Sequence, residues 1–270
     1  MKNFDKLFKV KTPIIGMIHI DALPGTPKYK GSVKNIINNS LEEAEIYLKS
    51  GIDSIAIENM HDVPYLRNGV GHEISSLMSI ISYEIKNKTK LPVGIQILAG
   101  ANKEAISAAH SAGIDFIRAE GFVFAHVADE GIIESNAGEL LRFRKQIGAE
   151  DILIFTDIKK KHSSHSITSD ITIKETAHAA EFFLSDGLIV TGSATGKEVE
   201  TSDLINVRKT SKLPSIIGSG ITLKNVEKYF TSCDAMIIGS YFKKSGNWIN
   251  KVDSERVKYF MMKVKKLRDK

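Results

Sequence analysis

The sequence predicts an α/β fold, a single (β/α)8 barrel of the TIM type, on three observations. Eight short apolar, β-branched runs recur along the 270 residues, about one every 32 residues, the size of a strand-helix unit. Each is followed by a turn and then by a stretch whose apolar residues keep the i, i+3, i+4 spacing of an amphipathic helix. The runs are nearly continuous rather than alternating, which is the pattern of parallel strands covered on both faces. An open doubly wound sheet would share these features. The count of eight, and the absence of a G-x-G-x-x-G turn after the first run, favour the barrel.

The runs are Ile14–Ile20, Ser54–Asn59, Val93–Leu98, Phe116–Gly121, Ile152–Asp157, Leu188–Thr191, Ser215–Gly218 and Ala235–Gly239. Between the first two, Val33, Ile36, Ile37, Leu41, Ala44, Tyr47 and Leu48 form a helical stripe. Leu223, Val226, Tyr229 and Phe230 form another, with Thr222 expected as its N-cap. Val257, Phe260, Met261, Val264 and Leu267 form the last. Gly51 and Gly113 stand where helices need a left-handed residue to stop. No linker divides the chain, so one domain over residues 1–270, with short basic ends, is expected.

Hydrophobic residues are 42% and charged residues 26% of the chain, an ordinary globular mix that excludes disorder and fibrous repeats. The net charge is 37 − 32 = +5. Much of that excess crowds the two ends, and no aromatic-interleaved basic stripe accompanies it, so nucleic acid is not an expected partner. The single cysteine, Cys233, cannot make an internal disulfide and reads as buried filler. The longest charge-free run, Leu91 to Asn102, is too short to span a bilayer, and no signal-peptide pattern is present. A soluble cytoplasmic protein, assembling as a homo-oligomer, is expected.

In such a barrel the active site lies at the C-terminal ends of the strands. That rule selects His19, Glu58 and Asn59, Gln96, Arg118 and Glu120, Asp157 with Lys159 and His162, and Thr191 with Ser193. The strongest local signal is a pair of glycine turns. Gly218-Ser219-Gly220 follows the seventh run and Gly239-Ser240 the eighth. These are the loops in which barrels often hold a phosphate, since glycine lets backbone amides approach an anion. Lys243 and Lys244 are expected to add charge there. His19, Glu58, Asp157 and Lys159 are the expected acid/base residues. Glu58, Glu120 and Asp157 are alternatively a set of oxygen ligands for Mg²⁺. His126, with His72, His110 and His178, reads as a surface residue. The turn-rich loop Leu23–Pro27 and the long loop Met60–Gly71 are expected to act as lids.

Several ordered motifs resemble the BtpA/SgcQ family. They are Ile15-Gly16-Met17-Ile18-His19 followed by Leu23-Pro24-Gly25-Thr26-Pro27, Glu58-Asn59-Met60-His61-Asp62, Phe116-Ile117-Arg118-Ala119-Glu120, Asp157-Ile158-Lys159-Lys160-Lys161-His162, Val190-Thr191-Gly192-Ser193-Ala194-Thr195-Gly196 and Gly218-Ser219-Gly220-Ile221-Thr222. The resemblance runs from about Ile14 to Lys265. It implies a barrel and leaves the reaction open, since the family's labels range from photosystem I biogenesis to sugar metabolism and nucleoside triphosphatase activity. Two departures fall at the site end. Gln96–Asn102 lacks the Arg and Asp of the family's run there, and Glu120 replaces the usual Asn. Two functions follow as expectations. One is an enzyme acting on a phosphorylated small molecule, a sugar phosphate or nucleotide, by acid/base or metal-assisted chemistry. The other is a non-catalytic assembly or stability factor that retains a phosphate-binding barrel.

Overall fold

Eight parallel strands close on themselves in the order of the chain, as the computed structural model shows for residues 3–192 and 198–270. The strands are β1 Ile14–His19, β2 Ser54–Glu58, β3 Val93–Gln96, β4 Phe116–Ala119, β5 Leu153–Ile158, β6 Gly187–Val190, β7 Ser215–Ile217 and β8 Ala235–Ile238. Each pairs with the next, and β8 returns to β1 with Ile15 opposite Ile237. The helices after them are α1 Val33–Lys49, α2 His72–Thr89, α3 Asn102–Ala112, α4 Ala137–Gln146, α5 Ile173–Phe182, α6 Thr201–Thr210, α7 Val226–Phe230 and α8 Ser254–Arg268. All eight expected runs are strands. Gly51 and Gly113 have φ of 74° and 64°, the left-handed conformation expected behind α1 and α3. Ser193 and the rest of its motif to Gly196 lie outside the described residues.

Strand side chains alternate in direction, so each strand serves two cores. One set faces the helices. The other fills the barrel with Ile15 and Met17 of β1, Ala56 of β2, Phe116 of β4, Leu153 and Phe155 of β5, Ile189 of β6, Ile216 of β7 and Ala235 and Ile237 of β8. Gly94 of β3 faces inward where a methyl would sit 2.0 Å from the Phe116 ring, so a larger residue there would displace it. The same parity, carried one step further, points His19, Glu58, Gln96, Arg118, Asp157, Thr191, Gly218 and Gly239 at the mouth. Counting by twos along each strand thus yields the whole ring of polar and small residues.

The opposite end of the barrel is sealed. A short helix, Phe4–Leu7, places Phe4 6.0 Å from Phe155 and brings Phe8 6.1 Å from Phe116, ring centre to ring centre. Arg268 locks the last helix across the same end. Its guanidinium reaches Asp53 Oδ2 at 2.6 Å and donates to the carbonyl of Lys11. That terminal charge is therefore structural rather than merely solvated.

Two local expectations are corrected. Thr222 is not the N-cap of the seventh helix. That helix starts at Val226 behind Asn225, whose side chain accepts from the Thr222 amide at 2.7 Å and donates to the Gly220 carbonyl at 2.9 Å. The polar amide thereby fastens the glycine turn. His126 is not on the surface. It begins a hairpin, His126–Ala128 with Gly131–Ile133, to which Ser163–Ser164 adds a third short strand. His126 is 5% exposed and its ring lies 5.6 Å from that of His165.

Candidate active site

At the mouth lies a cavity of about 780 Å³ lined by residues at or just past seven of the eight strand ends. His19, Glu58, Arg118, Glu120 and His162 line it, with Gly218, Ser219, Gly220, Gly239 and Ser240. The glycine turns and the ionisable residues at the ends of β1, β2 and β4 therefore share one space. Asn59, Gln96, Asp157, Lys159 and Thr191 stand around it rather than on its wall.

His19 stands at the end of β1 with its tautomer fixed. Its Nδ1 sits 2.9 Å from the Trp248 carbonyl oxygen, which only accepts, so Nδ1 carries the proton and Nε2 is left with a lone pair. Burial, and then the Lys243 ammonium, hold its pKa well below the ordinary value, so the ring is a neutral base at physiological pH. Nε2 points to the eighth-strand turn, 3.1 Å from where a β-carbon on Gly239 would lie. The glycine makes room for the histidine. Trp248, the sole tryptophan, also packs its ring 5.3 Å from His61 and lines the cavity. Nothing in the periodicity marks it, because it lies in the loop between β8 and α8.

Glu58 is the register partner of His19 across β1 and β2. Only 9% of the residue is exposed, and its carboxyl has no hydrogen bond or ion pair among the described residues. Burial pushes its pKa upward, and the positive charges of Arg118 and Lys161 oppose this without cancelling it. A carboxyl held toward its protonated form is a proton donor.

The other two carboxylates are already engaged. Arg118 grips Asp157 with Nε to Oδ2 at 2.7 Å and Nη2 to Oδ1 at 2.8 Å. Glu120 accepts from Lys160 Nζ at 2.9 Å and from Gln96 Nε2 at 3.0 Å. Asn102 clamps the backbone of Glu120 from both sides, donating to its carbonyl at 2.6 Å and accepting from its amide at 3.3 Å. Among the described residues no three acidic, histidine or cysteine side chains converge as a metal site. The Mg²⁺ set expected from Glu58, Glu120 and Asp157 is thus not assembled, because two of its members neutralise cations instead.

The lysines are corrected by one and two positions. Lys159 has φ of 48° and turns into a small pocket behind the site, with His126, His165 and Asp157. Lys160 and Lys161 reach the cavity. Lys243 is fully buried and donates to Glu43 at 2.8 Å, and Lys244 is exposed outside the cavity, so neither supplies the expected charge to the glycine turns. Lys224 and Arg256 stand at that end instead. Arg256 donates to the Tyr241 carbonyl at 2.6 Å and lies 4.4 Å over its ring.

The remaining selected residues brace the walls. Asn59 accepts from the Leu98 amide at 2.7 Å and donates to Asp62, which in turn accepts from the Leu23 amide at 2.8 Å. Asp62 thereby ties the first two loops together. Met60 and Tyr65 of the second loop line the cavity, as do Asp129 and Glu130 at the hairpin turn. Thr191 Oγ1 accepts from the Lys161 amide at 3.1 Å, and Ser219 Oγ accepts from the Gly192 amide at 3.3 Å. Gly220 has φ of 78°, where a side chain is strained. Cys233 is buried, as expected.

The model of the BtpA family matches residues 10–266. The chain belongs to the BtpA family. Among family relatives, a Caenorhabditis elegans protein labelled mitochondrial is 47% identical over 97% of both chains. The photosystem I biogenesis protein BtpA of Synechocystis is 31% identical over 94% of this chain and 88% of its own. Solved structures share the fold at low identity. The (S)-3-O-geranylgeranylglyceryl phosphate synthase of Thermoplasma acidophilum, in complex with sn-glycerol-1-phosphate, has a TM-score of 0.62 at 16% identity and covers 98% of this chain and 100% of its own. The phosphoribosyl anthranilate isomerase of Thermus thermophilus has 0.59 at 10% identity, covering 95% and 100%. No helix among the described residues of this BtpA-family chain is long and apolar enough to cross a membrane. The mitochondrial label of the nematode relative leaves the expected cytoplasmic location without support.

Proposed function

We propose that this BtpA-family barrel is an enzyme acting by acid/base chemistry on a phosphorylated small molecule, a sugar phosphate or a nucleotide. The observation that carries the reading is the pairing of two unlike proton-transfer groups at adjacent strand ends. His19 is a neutral base with a free lone pair, and Glu58 is a carboxyl biased toward its acid form. Burial favours the neutral form of each, a base in one and an acid in the other, so the two can take and give a proton at one pH. A scaffold gains nothing from facing an unbonded imidazole nitrogen and an unbonded carboxyl into one cavity.

The phosphate is assigned to the turns Gly218–Gly220 and Gly239–Ser240. Support comes from their place on the wall of the same cavity as His19 and Glu58, and from Lys224 and Arg256 beside them. The fold neighbours named for glyceryl phosphate and phosphoribosyl compounds agree with it. A cavity of about 780 Å³ suits a molecule of sugar-phosphate or nucleotide size. The competing reading is an assembly factor with an idle site, as the name of the Synechocystis relative suggests.

A thermal-shift comparison separates the two. Ribose 5-phosphate, glycerol 1-phosphate and AMP are matched against ribose, glycerol and adenosine. Binding at a hundred times Kd raises stability by about 2.7 kcal/mol. The expected result is a rise in Tm with at least one phosphorylated compound and none with its counterpart. Ser240→Asp, which sets a carboxylate against the anion, should erase the rise. Equal shifts with and without the phosphate, or no shift at all, would overturn the phosphate assignment.

A further inference from the structure

We propose that Lys161 is an imine-forming amine, and that the ligand of the cavity is therefore a phosphorylated aldehyde or ketone. The proposal builds on the phosphate reading above and narrows its substrate class.

Three consecutive lysines leave β5, and the turn sends them to three places. Lys159 enters the pocket behind the site. Lys160 reaches the cavity edge, where Glu120 neutralises it at 2.9 Å. Lys161 lines the cavity, and its Nζ has neither an ion pair nor a hydrogen bond among the described residues. Its main chain, by contrast, is held at both ends. The amide donates to Thr191 Oγ1 at 3.1 Å, and the carbonyl accepts from Ser163 Oγ at 3.3 Å. The backbone is fixed and the amine is left over.

An ammonium without a counter-ion in a half-buried site is costly, and the cost is relieved by losing the proton. Burial, and then the neighbouring Arg118 guanidinium, push Lys161 in that direction, and the carboxylates of Glu58, Asp157 and Glu120 oppose this without cancelling it. Arg118 and Asp157 are spent on each other, so neither bonds the Lys161 amine. A lysine that only balanced charge would have been paired, as Lys160 and Lys243 are. A neutral amine is the form that attacks a carbonyl carbon.

Glu58 completes the step. The Lys161 nitrogen forms a bond to the carbonyl carbon, its proton passes to the carbonyl oxygen, and a carbinolamine results. The Glu58 carboxyl then donates its proton to the hydroxyl, which leaves as water. The C–O bond breaks and the nitrogen lone pair closes the iminium. Glu58 remains as a carboxylate beside the new cation. No oxidant or metal is needed, and one water is released per imine.

The test is reductive trapping. The full chain is incubated with cyanoborohydride and either dihydroxyacetone phosphate or glyceraldehyde 3-phosphate, and in parallel with dihydroxyacetone or glyceraldehyde. Intact mass and peptide mapping locate the adduct. The expected result is one phosphorylated adduct per chain, on Lys161. Lys161→Arg keeps a long side chain but has no amine to condense, and should lose the adduct while its Tm stays near wild type. Lys244→Arg, an exposed lysine outside the cavity, should keep it. If phosphorylated compounds raise the Tm but no adduct forms on Lys161, or if the adduct survives in Lys161→Arg, the imine is overturned and the phosphate reading stands. If the unphosphorylated compounds are trapped on Lys161 equally well, the imine stands and the phosphate reading fails.

Discussion

Arg118 and Asp157, neighbours on β4 and β5, form a two-pronged ion pair at 2.7 and 2.8 Å, with side chains only 7% and 1% exposed. Asp157 thereby becomes a strut across the mouth. Removing one partner of such a pair strands the other charge in a dry site, at a cost of about 3–5 kcal/mol. Both Asp157→Asn and Arg118→Met should therefore lower the urea midpoint strongly. The double variant Arg118→Met with Asp157→Leu should recover much of the loss. Additive losses in the double variant would show that the two charges do not depend on each other.

Glu58→Gln should separate stability from activity. The folded pKa of Glu58 is raised, so its share of stability is intact at acid pH and is lost as pH rises through the folded value. Replacing it with Gln removes a buried charge. The variant should melt above wild type at pH 8 and converge with it near pH 4, while turnover of any substrate collapses. A Glu58→Gln protein less stable than wild type at pH 8 would mean the carboxylate is held by groups that stabilise it.

His126 should shape the acid limb of the stability curve. Its pKa is lowered to about 4, first by burial and then by the Lys160 charge. The unfolded chain takes up the proton near pH 6.5 and the folded chain does not, so stability falls as pH drops between those values. The contribution approaches about 1.4 kcal/mol per pH unit for one proton. In His126→Gln the slope of unfolding free energy between pH 6 and 4.5, taken from urea melts, should be shallower by up to that amount. The lowered pKa of His19 contributes in the same direction and remains.

Phe8→Ala should test the seal at the closed end. Phe8 is 6% exposed and touches Phe4, Phe116 and Phe155. Loss of a buried aromatic costs about 3–5 kcal/mol. The expectation is a lower Tm with ligand binding at the mouth unchanged once the protein is folded, checked by calorimetry and by the thermal-shift comparison described above.

The barrel was legible because its signals are local and repeated. Apolar runs, helical stripes and the glycines at 51 and 113 each act within a few residues. Parity along a strand then carried His19, Glu58 and the glycine turns to one mouth without knowledge of the tertiary structure. What escaped depends on partners far along the chain or on unusual backbone. Lys243 is spent on Glu43, 200 residues away in sequence. His126 lies on a three-residue strand, too short for any period to show. Lys159 and His162 both take positive φ, of 48° and 54°, without being glycine. That rotation decides which of the three lysines meets the cavity, and composition alone does not reveal it. The pairing of Asp157 with Arg118 and of Glu120 with Lys160 escaped for a related reason, since it joins side chains that lie about 40 residues apart.

The aromatic seal at the closed end also sets the traffic of the barrel. With Phe4 and Phe8 capping a filled interior, matter reaches the site and leaves it by one door. His19, Glu58 and the two glycine turns line the cavity behind that door, so any ligand meets them by the same approach.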